Sequence, residues 1–481
     1  MQSDKYRPSY HFTPPANWMN DPNGLIYLDG EFHLFYQYYP YGLNWGTMHW
    51  GHAVSKDLLH WEHLLIALYP DSMGTIFSGS VVADTGNTSG LAQGTNKLLV
   101  AIFTHFKYGL QRQSLAYSND NGRNWLKFNA NPVIKNPFRI HFRDPKVFMH
   151  VQSKKWAMVL ACGDHIRIYN SPDLLKWEYT GKFGSHSGAH GSVWECPDLF
   201  EIEVVNEPGV KKWVMLVSIK NSAPNGGSGT QYFTGSFNGR EFVSDHLPSK
   251  VLWLDYGKDN YAGITWNNIP GQDGRRIFTA WMNNWQYAGS LLTSPWRGAM
   301  TVPRELSLEK KENEYLLISK PVREVQSLRK KIRGEENVFT DKVFVIERPE
   351  QFIVNSFEIE AVIDFSDIRE LFFEFVDADG SPCLITLNKI KRTLLFMRRC
   401  EGPDKFKAKF NGEFIAPVSF EKGRMKIQIL IDNCSVEIFI DEGVSCMTNL
   451  IFPSGRINRV YISSSAKKLQ LESLNYYELM I

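Results

Sequence analysis

One short pattern returns three times early in the chain and limits what it can fold into. SKDLLHWEHL begins at Ser55, SNDNGRNWLKF at Ser118 and SPDLLKWEYT at Ser171. Each copy is Ser-x-Asp, a short turn, then a tryptophan and a strand-like tail. The tryptophans Trp61, Trp125 and Trp177 are spaced 64 and 52 residues apart. A period near 50 in a strand-rich chain is the mark of four-stranded propeller blades. About 300 residues at about 60 per blade gives roughly five blades. Asp57, Asp120 and Asp173 then serve as turn formers, because an aspartate side chain bonds its own backbone two residues on.

The runs between these copies agree. EFHLFYQYY (31–39), KLLVAIFTHF (97–106), KWAMVLACG (155–163), IRIYNS (166–171) and KKWVMLVSI (211–219) are short, rich in aromatic and aliphatic residues, and bounded by Gly, Asn, Asp and Pro. No helical period is sustained. The texture changes after TVPREL (301–306). Beyond it come alternating strands such as SFEIEAVIDF (356–365), ELFFEFV (370–376), CLITLN (383–388) and RMKIQILIDNCSVEIFID (424–441). Several strands without helices predict a β-sandwich. The expected architecture is all-β: a five-bladed β-propeller over about 1–320, then a β-sandwich over about 335–481. The cationic stretch SLRKKIRGEEN (327–337) reads as a solvated linker between them.

The bulk chemistry excludes several classes. The 481 residues carry a formal net charge of +2 with no basic stripe, so nucleic acid is not an expected partner. No apolar run approaches the ~18 residues of a membrane span. Six cysteines form neither a Cys-x-x-Cys pair nor a dense framework, which predicts buried thiols rather than zinc or a disulfide scaffold. His49, His52, His60 and His63 cluster, but in strand or turn context rather than on one helical face, so no metal and no cofactor are expected. The first twelve residues lack the apolar core of a signal peptide. An extracellular or periplasmic protein without its signal would look like this, and so would a cytoplasmic one. A monomer is expected. The fourteen tryptophans suit a core, and also a pocket for a ligand with C–H faces, such as a sugar.

Three carboxylates sit in unusual local settings: Asp21 in MNDPNG, Asp144 in FRDPKVF and Glu195 in VWECPDLF. Each has a proline one or two residues later: Pro22, Pro145, Pro197. Proline stiffens a turn and holds the residue before it extended, which would fix the direction of an acidic side chain. Asp144 has Arg143 beside it, which can keep it ionised or share a substrate hydroxyl. Glu195 lies between Trp194 and Cys196, an apolar setting that would raise its pKa. Asp21 lies among the amides of Asn20 and Asn23, which favour its anion. One carboxylate held charged and one carboxyl held neutral are what a retaining glycosidase needs.

These motifs resemble those of glycoside hydrolase family 32, the invertases, levanases and exo-inulinases. The likeness runs over nearly the whole chain. It includes WMNDPNG (18–24), MHWGHAVSKDLLHWEH (48–63), FSGS (77–80), FRDPKVF (142–148), WECPDLF (194–200), NGGSGTQYF (225–233), DYGKDNYAGITW (255–266) and SPWRGAMTVPREL (294–306), and SVEIFIDEG (435–443) in the sandwich. The resemblance implies Asp21 as nucleophile, Glu195 as general acid/base and Asp144 as transition-state stabiliser. It implies that Asn20, Gln37, Trp45, Phe77, Ser78, Arg143 and Trp266 shape a fructose pocket. The implied activity is release of fructose from β-fructofuranosides: levan, inulin, fructo-oligosaccharides or sucrose. GAHGSVWECPDLF is nearer to levanases and exo-inulinases than to plant invertases. Endo-acting levanase and fructosyltransferase activity remain open, as does a non-catalytic carbohydrate-binding propeller.

Overall fold

The computed structural model describes residues 4–340, 343–466 and 468–481. Its first part is five antiparallel sheets in chain order. Their first strands are Asn17–Leu28, Thr75–Ala83, Arg143–His150, Trp194–Glu203 and Tyr261–Thr265. Each of these strands packs beside the next, and the fifth returns to the first. They are the inner strands of the five blades expected from the repeat. A short parallel strand, Trp296–Arg297, is added to blade 1 at Asn17 and Trp18.

The repeat marks one place in successive blades. It fills the turn between the third and fourth strands of blades 1, 2 and 3. Ser55 Oγ donates to Asp57, Ser118 Oγ to Asp120 and Ser171 Oγ to Asp173. Trp61, Trp125 and Trp177 each donate an indole N–H to the carbonyl three residues back. Leu58, Asn121 and Leu174 have φ of 69°, 57° and 63°. A leucine is uncommon in that left-handed region, so the capping hydrogen bonds must hold the turn.

The apolar cores lie between consecutive blades. Ile26, Phe35 and Trp50 of blade 1 meet Ile76, Val81 and Phe103 of blade 2. Val100 and Leu115 of blade 2 meet Met158 and Leu160 of blade 3. The central strands are consequently apolar on both faces, which explains why they read as unbroken runs.

The second part is a sandwich of two six-stranded antiparallel sheets. Glu370–Asp377 alternates strictly between half-exposed and buried positions, as a one-sided strand should. Ser435–Ile440 and Ser445–Leu450 are buried throughout, because their outer faces cover the propeller. Two features differ from the sequence expectation. Among the described residues the sandwich holds one short helix, Asp404–Phe410. The cationic stretch is no linker: Arg329–Thr340 is a strand paired with Leu469–Leu479. Its leading cation is matched across the sheet, since Arg329 bonds Glu358 and Glu360 and lies over the Tyr477 ring.

A buried charge network joins the two parts. Arg304 pairs with Asp255 and with Glu437 of the sandwich. His11 bridges Asp432 and Glu437, each at 2.8 Å. Burial alone would lower the His11 pKa, but those two carboxylates raise it to about 9. Burial would raise Glu437, but Arg304 and His11 bring it to about 2. The sign follows for each group. The His11 contribution is complete below its ordinary 6.5 and is lost as pH rises through about 9. The Glu437 contribution is present above its ordinary 4.5 and is lost as pH falls toward about 2. Removing one partner strands a buried charge, at a cost of about 3–5 kcal/mol. His11→Gln is therefore expected to lower the melting temperature at neutral pH. Melting curves of the two proteins should converge above about pH 9. A wild-type alkaline decline that survives unchanged in the variant would show that another group causes it.

Candidate active site

All five inner strands are interrupted at the same level. In blade 1 the pairing jumps from Met19↔Tyr38 to Pro22↔Tyr36, so Asn20 and Asp21 face the single residue Gln37. The same two-against-one step places Phe77 and Ser78 opposite Thr104 and Asp144 and Pro145 opposite Leu160. It places Cys196 and Pro197 opposite Val217, and Ala262 and Gly263 opposite Ala280. These are β-bulges, which bend a strand and re-aim a side chain. They explain Pro145 and Pro197, since a bulged residue gives up its ladder bond and can lack an N–H. Gly79 closes the blade 2 bulge where a Cβ would lie 2.2 Å from the Ile102 carbonyl oxygen. Asp144, Cys196 and Ala262 take φ of 62°, 46° and 56°. For non-glycine residues this costs on the order of 1–3 kcal/mol each.

The bulges bring the three carboxylates together. Ser78 Oγ donates to Asp21 Oδ2 at 2.9 Å, and Asn20 Nδ2 to Asp21 Oδ1 at 3.0 Å. Asn20 is itself oriented by the Trp18 indole N–H. The Cys196 thiol lies 3.4 Å from Asp21 Oδ2 and 3.7 Å from Asp144 Oδ2. The Cys196 backbone N–H donates to Asp144 Oδ2 at 3.0 Å. Arg143 donates to Glu195 Oε1 through Nη2 at 2.8 Å, and its Nε lies 3.8 Å from Asp144. The Tyr261 hydroxyl donates to Glu195 Oε2. Gln37 is buried, and among the described residues its Nε2 has no partner. Half-exposed Trp45 stands edge-on to Phe77, with ring centroids 6.1 Å apart.

Trp266 does not join this group. It is fully buried in the core between blades 5 and 1, edge-on to Phe32, and donates its indole N–H to the His33 carbonyl. It follows the far end of the inner strand whose near end carries Tyr261. The pocket place expected for Trp266 is thus corrected, and Tyr261 is the aromatic that blade 5 presents. Sequence reasoning passed over Tyr261 and Cys196. Their signal is position: Cys196 lies in the blade 4 bulge, and Tyr261 immediately precedes the blade 5 bulge as Glu195 precedes that of blade 4.

The charges are distributed differently from the sequence expectation. Burial works to raise the Glu195 pKa, but Arg143 and the Tyr261 hydroxyl outweigh it and hold Glu195 below its ordinary value. Trp194 and Cys196 do not surround the Glu195 carboxylate: Trp194 fills the blade 3–blade 4 core, and Cys196 faces the two aspartates. Asp144 is raised to about 7 by burial and by Glu195 and Asp21, against the pull of Arg143. Asp21 is raised by burial and by Glu195, against the hydrogen bonds from Asn20 and Ser78. Three carboxyls around one guanidinium cannot all ionise freely. They titrate as a set, and Glu195 takes the largest share of the negative charge.

Two of the clustered histidines have other partners. His52 Nε2 lies 3.1 Å from His33 Nδ1, and His60 bonds Asp57. Among the described residues no three His, Cys, Asp or Glu side chains are placed to hold a metal ion. All six cysteines are free and buried. Among the described residues no helix is long and apolar enough to cross a membrane.

Comparison with known proteins adds an independent line. The model of the glycosyl hydrolases family 32 N-terminal domain matches residues 11–321, and that of the family 32 C terminal matches 324–478. A levanase of Bacillus subtilis is 47% identical over 481 residues, covering 99% of this chain and 71% of that protein. An extracellular exo-inulinase of Aspergillus ficuum is 35% identical over 498 residues, covering 93% of this chain and 90% of its own. The crystal structure of exo-inulinase from Aspergillus awamori superposes with a TM-score of 0.91 at 32% identity, covering 98% of each chain.

Proposed function

The chain belongs to glycosyl hydrolase family 32, and from that premise we propose that it is a retaining β-fructosidase releasing fructose from fructans. The observation that carries this reading is the clustering of Asp21, Asp144 and Glu195, linked through Cys196 and Arg143. Likeness to a levanase and to exo-inulinases supports fructan as the substrate class. The extracellular relatives support a secreted enzyme.

Asp21 attacks the anomeric carbon and forms a fructosyl ester, while Glu195 gives its proton to the leaving oxygen. Glu195 then takes a proton from water, which displaces Asp21 on the same face that the leaving group occupied. Retention follows from two inversions. Arg143 and Tyr261 favour the Glu195 anion, so substrate must shift that balance. Fructosyl hydroxyls accepting from Arg143 draw it off Glu195, and a proton held by the aspartates passes to Glu195. Gln37, with its free amide N–H, and Trp45 with Phe77 hold the ring. Asp144 grips ring hydroxyls and tightens as oxocarbenium charge develops.

Groups that bind the transition state better than the ground state change kcat more than KM. Asp144→Asn keeps the shape and loses the charge. It is expected to lower kcat about 10²–10⁴-fold, roughly 3–5 kcal/mol, with KM changed far less. An equal loss in both constants would remove Asp144 from that role.

The reading is tested by incubating the protein with sucrose, inulin and levan and chromatographing the products. Fructose as the sole early product is expected. Short oligosaccharides at early times would replace the exo reading by an endo one, and longer oligosaccharides would indicate transfer. No product from any of the three would overturn it.

A further inference from the structure

Protonation of the leaving oxygen requires it to come within hydrogen-bond reach of the Glu195 carboxyl. The sugar attached to that oxygen must then lie on the open side of Glu195. On the neighbouring strand Glu195 is paired with Ser218. Ser218 is fully buried; its Oγ accepts from the Ala262 N–H and lies 3.0 Å from Thr230 Oγ1. The inward side is therefore closed. Two residues beyond Ser218, Lys220 is exposed. Its N–H donates to the Val193 carbonyl, so the pairing carries on past the strand end. Side chains alternate between faces along a strand, and directly opposed residues share a face. Lys220 thus lies on the Glu195 face, one step toward solvent.

Lys220 is steadied but not neutralised. Among the described residues it makes no ion pair and no side-chain hydrogen bond, and its ammonium stands over the Trp285 ring, 5.2 Å from the centroid. Trp285 is half-buried and packs on Trp18 and Trp281, with centroids 6.0 and 4.9 Å apart. Trp18 in turn orients Asn20, the partner of Asp21. The Lys220 charge reaches Glu195: burial raises that carboxyl, and Lys220 adds to Arg143 and Tyr261 in holding it low. An ammonium has N–H donors and no acceptor. Those of Lys220 are exposed beside the group that hands over the proton.

We propose that Lys220, steadied by Trp285, grips the sugar that leaves: glucosyl in sucrose, the penultimate fructosyl in a fructan. Lys220 has this role only if the protein is the retaining β-fructosidase proposed above. The match is chemical. A sugar presents neutral hydroxyl oxygens, which accept from an ammonium without altering the charge around the three carboxyls. The same place holds the sugar when it returns as acceptor, because transfer is cleavage reversed. An acceptor hydroxyl gives its proton to Glu195, its oxygen bonds the anomeric carbon, and Asp21 departs as carboxylate.

Fructosyl fluoride loads the enzyme without a leaving sugar, and the fructosyl ester then partitions between water and added glucose. The ratio of fructosyl-glucose disaccharide to free fructose is measured for the wild type and for Lys220→Met, which keeps the stem and loses the donors. A hydrogen bond from a charged donor is worth roughly 10–100-fold, so the ratio is expected to fall about tenfold or more. The kcat/KM for sucrose should fall by a similar factor across the pH range. A product ratio does not depend on how much of the variant is folded. It also cancels any effect of the Lys220 charge on Glu195, since water and glucose need the same base. An unchanged ratio would overturn the proposal. An unchanged ratio with the limbs of the pH profile displaced would overturn it too, making Lys220 a charge on the carboxyl set instead. A wild type that turns over neither fructosyl fluoride nor sucrose would overturn the catalytic reading, whereas turnover with an unchanged ratio removes only Lys220.

Discussion

Asp21→Ala is expected to lower kcat by about 10⁵-fold or more, the scale seen when a covalent nucleophile is removed. The fold should survive, because Asp21 is half-exposed and its bulge is held by backbone pairing on either side. Asn20, Ser78 and Cys196 would lose an acceptor, and Asp144 would lose one of the negative neighbours that raise its pKa. The specific signature is rescue. Azide is small enough to occupy the vacated carboxylate position and attack the anomeric carbon directly. The leaving oxygen still takes its proton from Glu195, and the product is a fructosyl azide of inverted configuration. Recovery of activity by azide with that stereochemistry is the expected result of the assay. Rescue giving retained configuration would mean that another carboxylate still forms the ester.

Glu195→Gln is expected to reduce kcat about 10³–10⁴-fold on sucrose, near the upper range for general acid catalysis. The amide cannot deliver a proton, although its oxygen can still accept from Arg143 while its NH2 donates to the Tyr261 hydroxyl oxygen. A substrate whose leaving group needs no proton, such as fructosyl fluoride, should be affected far less in its first step. The pH dependence supplies the second readout. The kcat/KM profile of the wild type should be bell-shaped on the acid side of neutrality, since Arg143 and Tyr261 hold Glu195 below its ordinary value. Its two apparent pKa values belong to the carboxyl set rather than to single residues. One limb should vanish in Glu195→Gln. A bell that persists in that variant would assign the acid to another group.

The propeller was legible because its cue is local. Ser-x-Asp-turn-Trp is a self-contained capping unit, so it reads the same in three blades whatever surrounds it. The three acids were legible because each sits beside a proline in a strand, an arrangement that regular pairing disfavours. What escaped was pairwise. A bulge is a mismatch between two strands, so the equivalence of Asp21, Ser78, Asp144, Cys196 and Ala262 appears only once their partners are known. The charge on Glu195 was misread for the same reason: Trp194 and Cys196 are its neighbours in sequence, whereas Arg143, 52 residues earlier, is its neighbour in space. The motif points Trp266 to the pocket, but it lies beyond the end of the inner strand and is buried in the core. The cationic stretch looked solvated because the carboxylates that pair with Arg329 lie about thirty residues further on.

Which aspartate, Asp21 or Asp144, forms the covalent bond to fructose can be read directly. Glu195→Gln supplied with fructosyl fluoride should accumulate the ester, because its formation needs no acid and its hydrolysis lacks a base. Acid quench, proteolysis and mass spectrometry of the labelled peptide locate the bond. A fructosyl adduct is expected on the peptide carrying Asp21, with none on the peptide carrying Asp144. An adduct on Asp144 would reverse the two roles, and no adduct together with an inverted product would contradict the covalent mechanism itself.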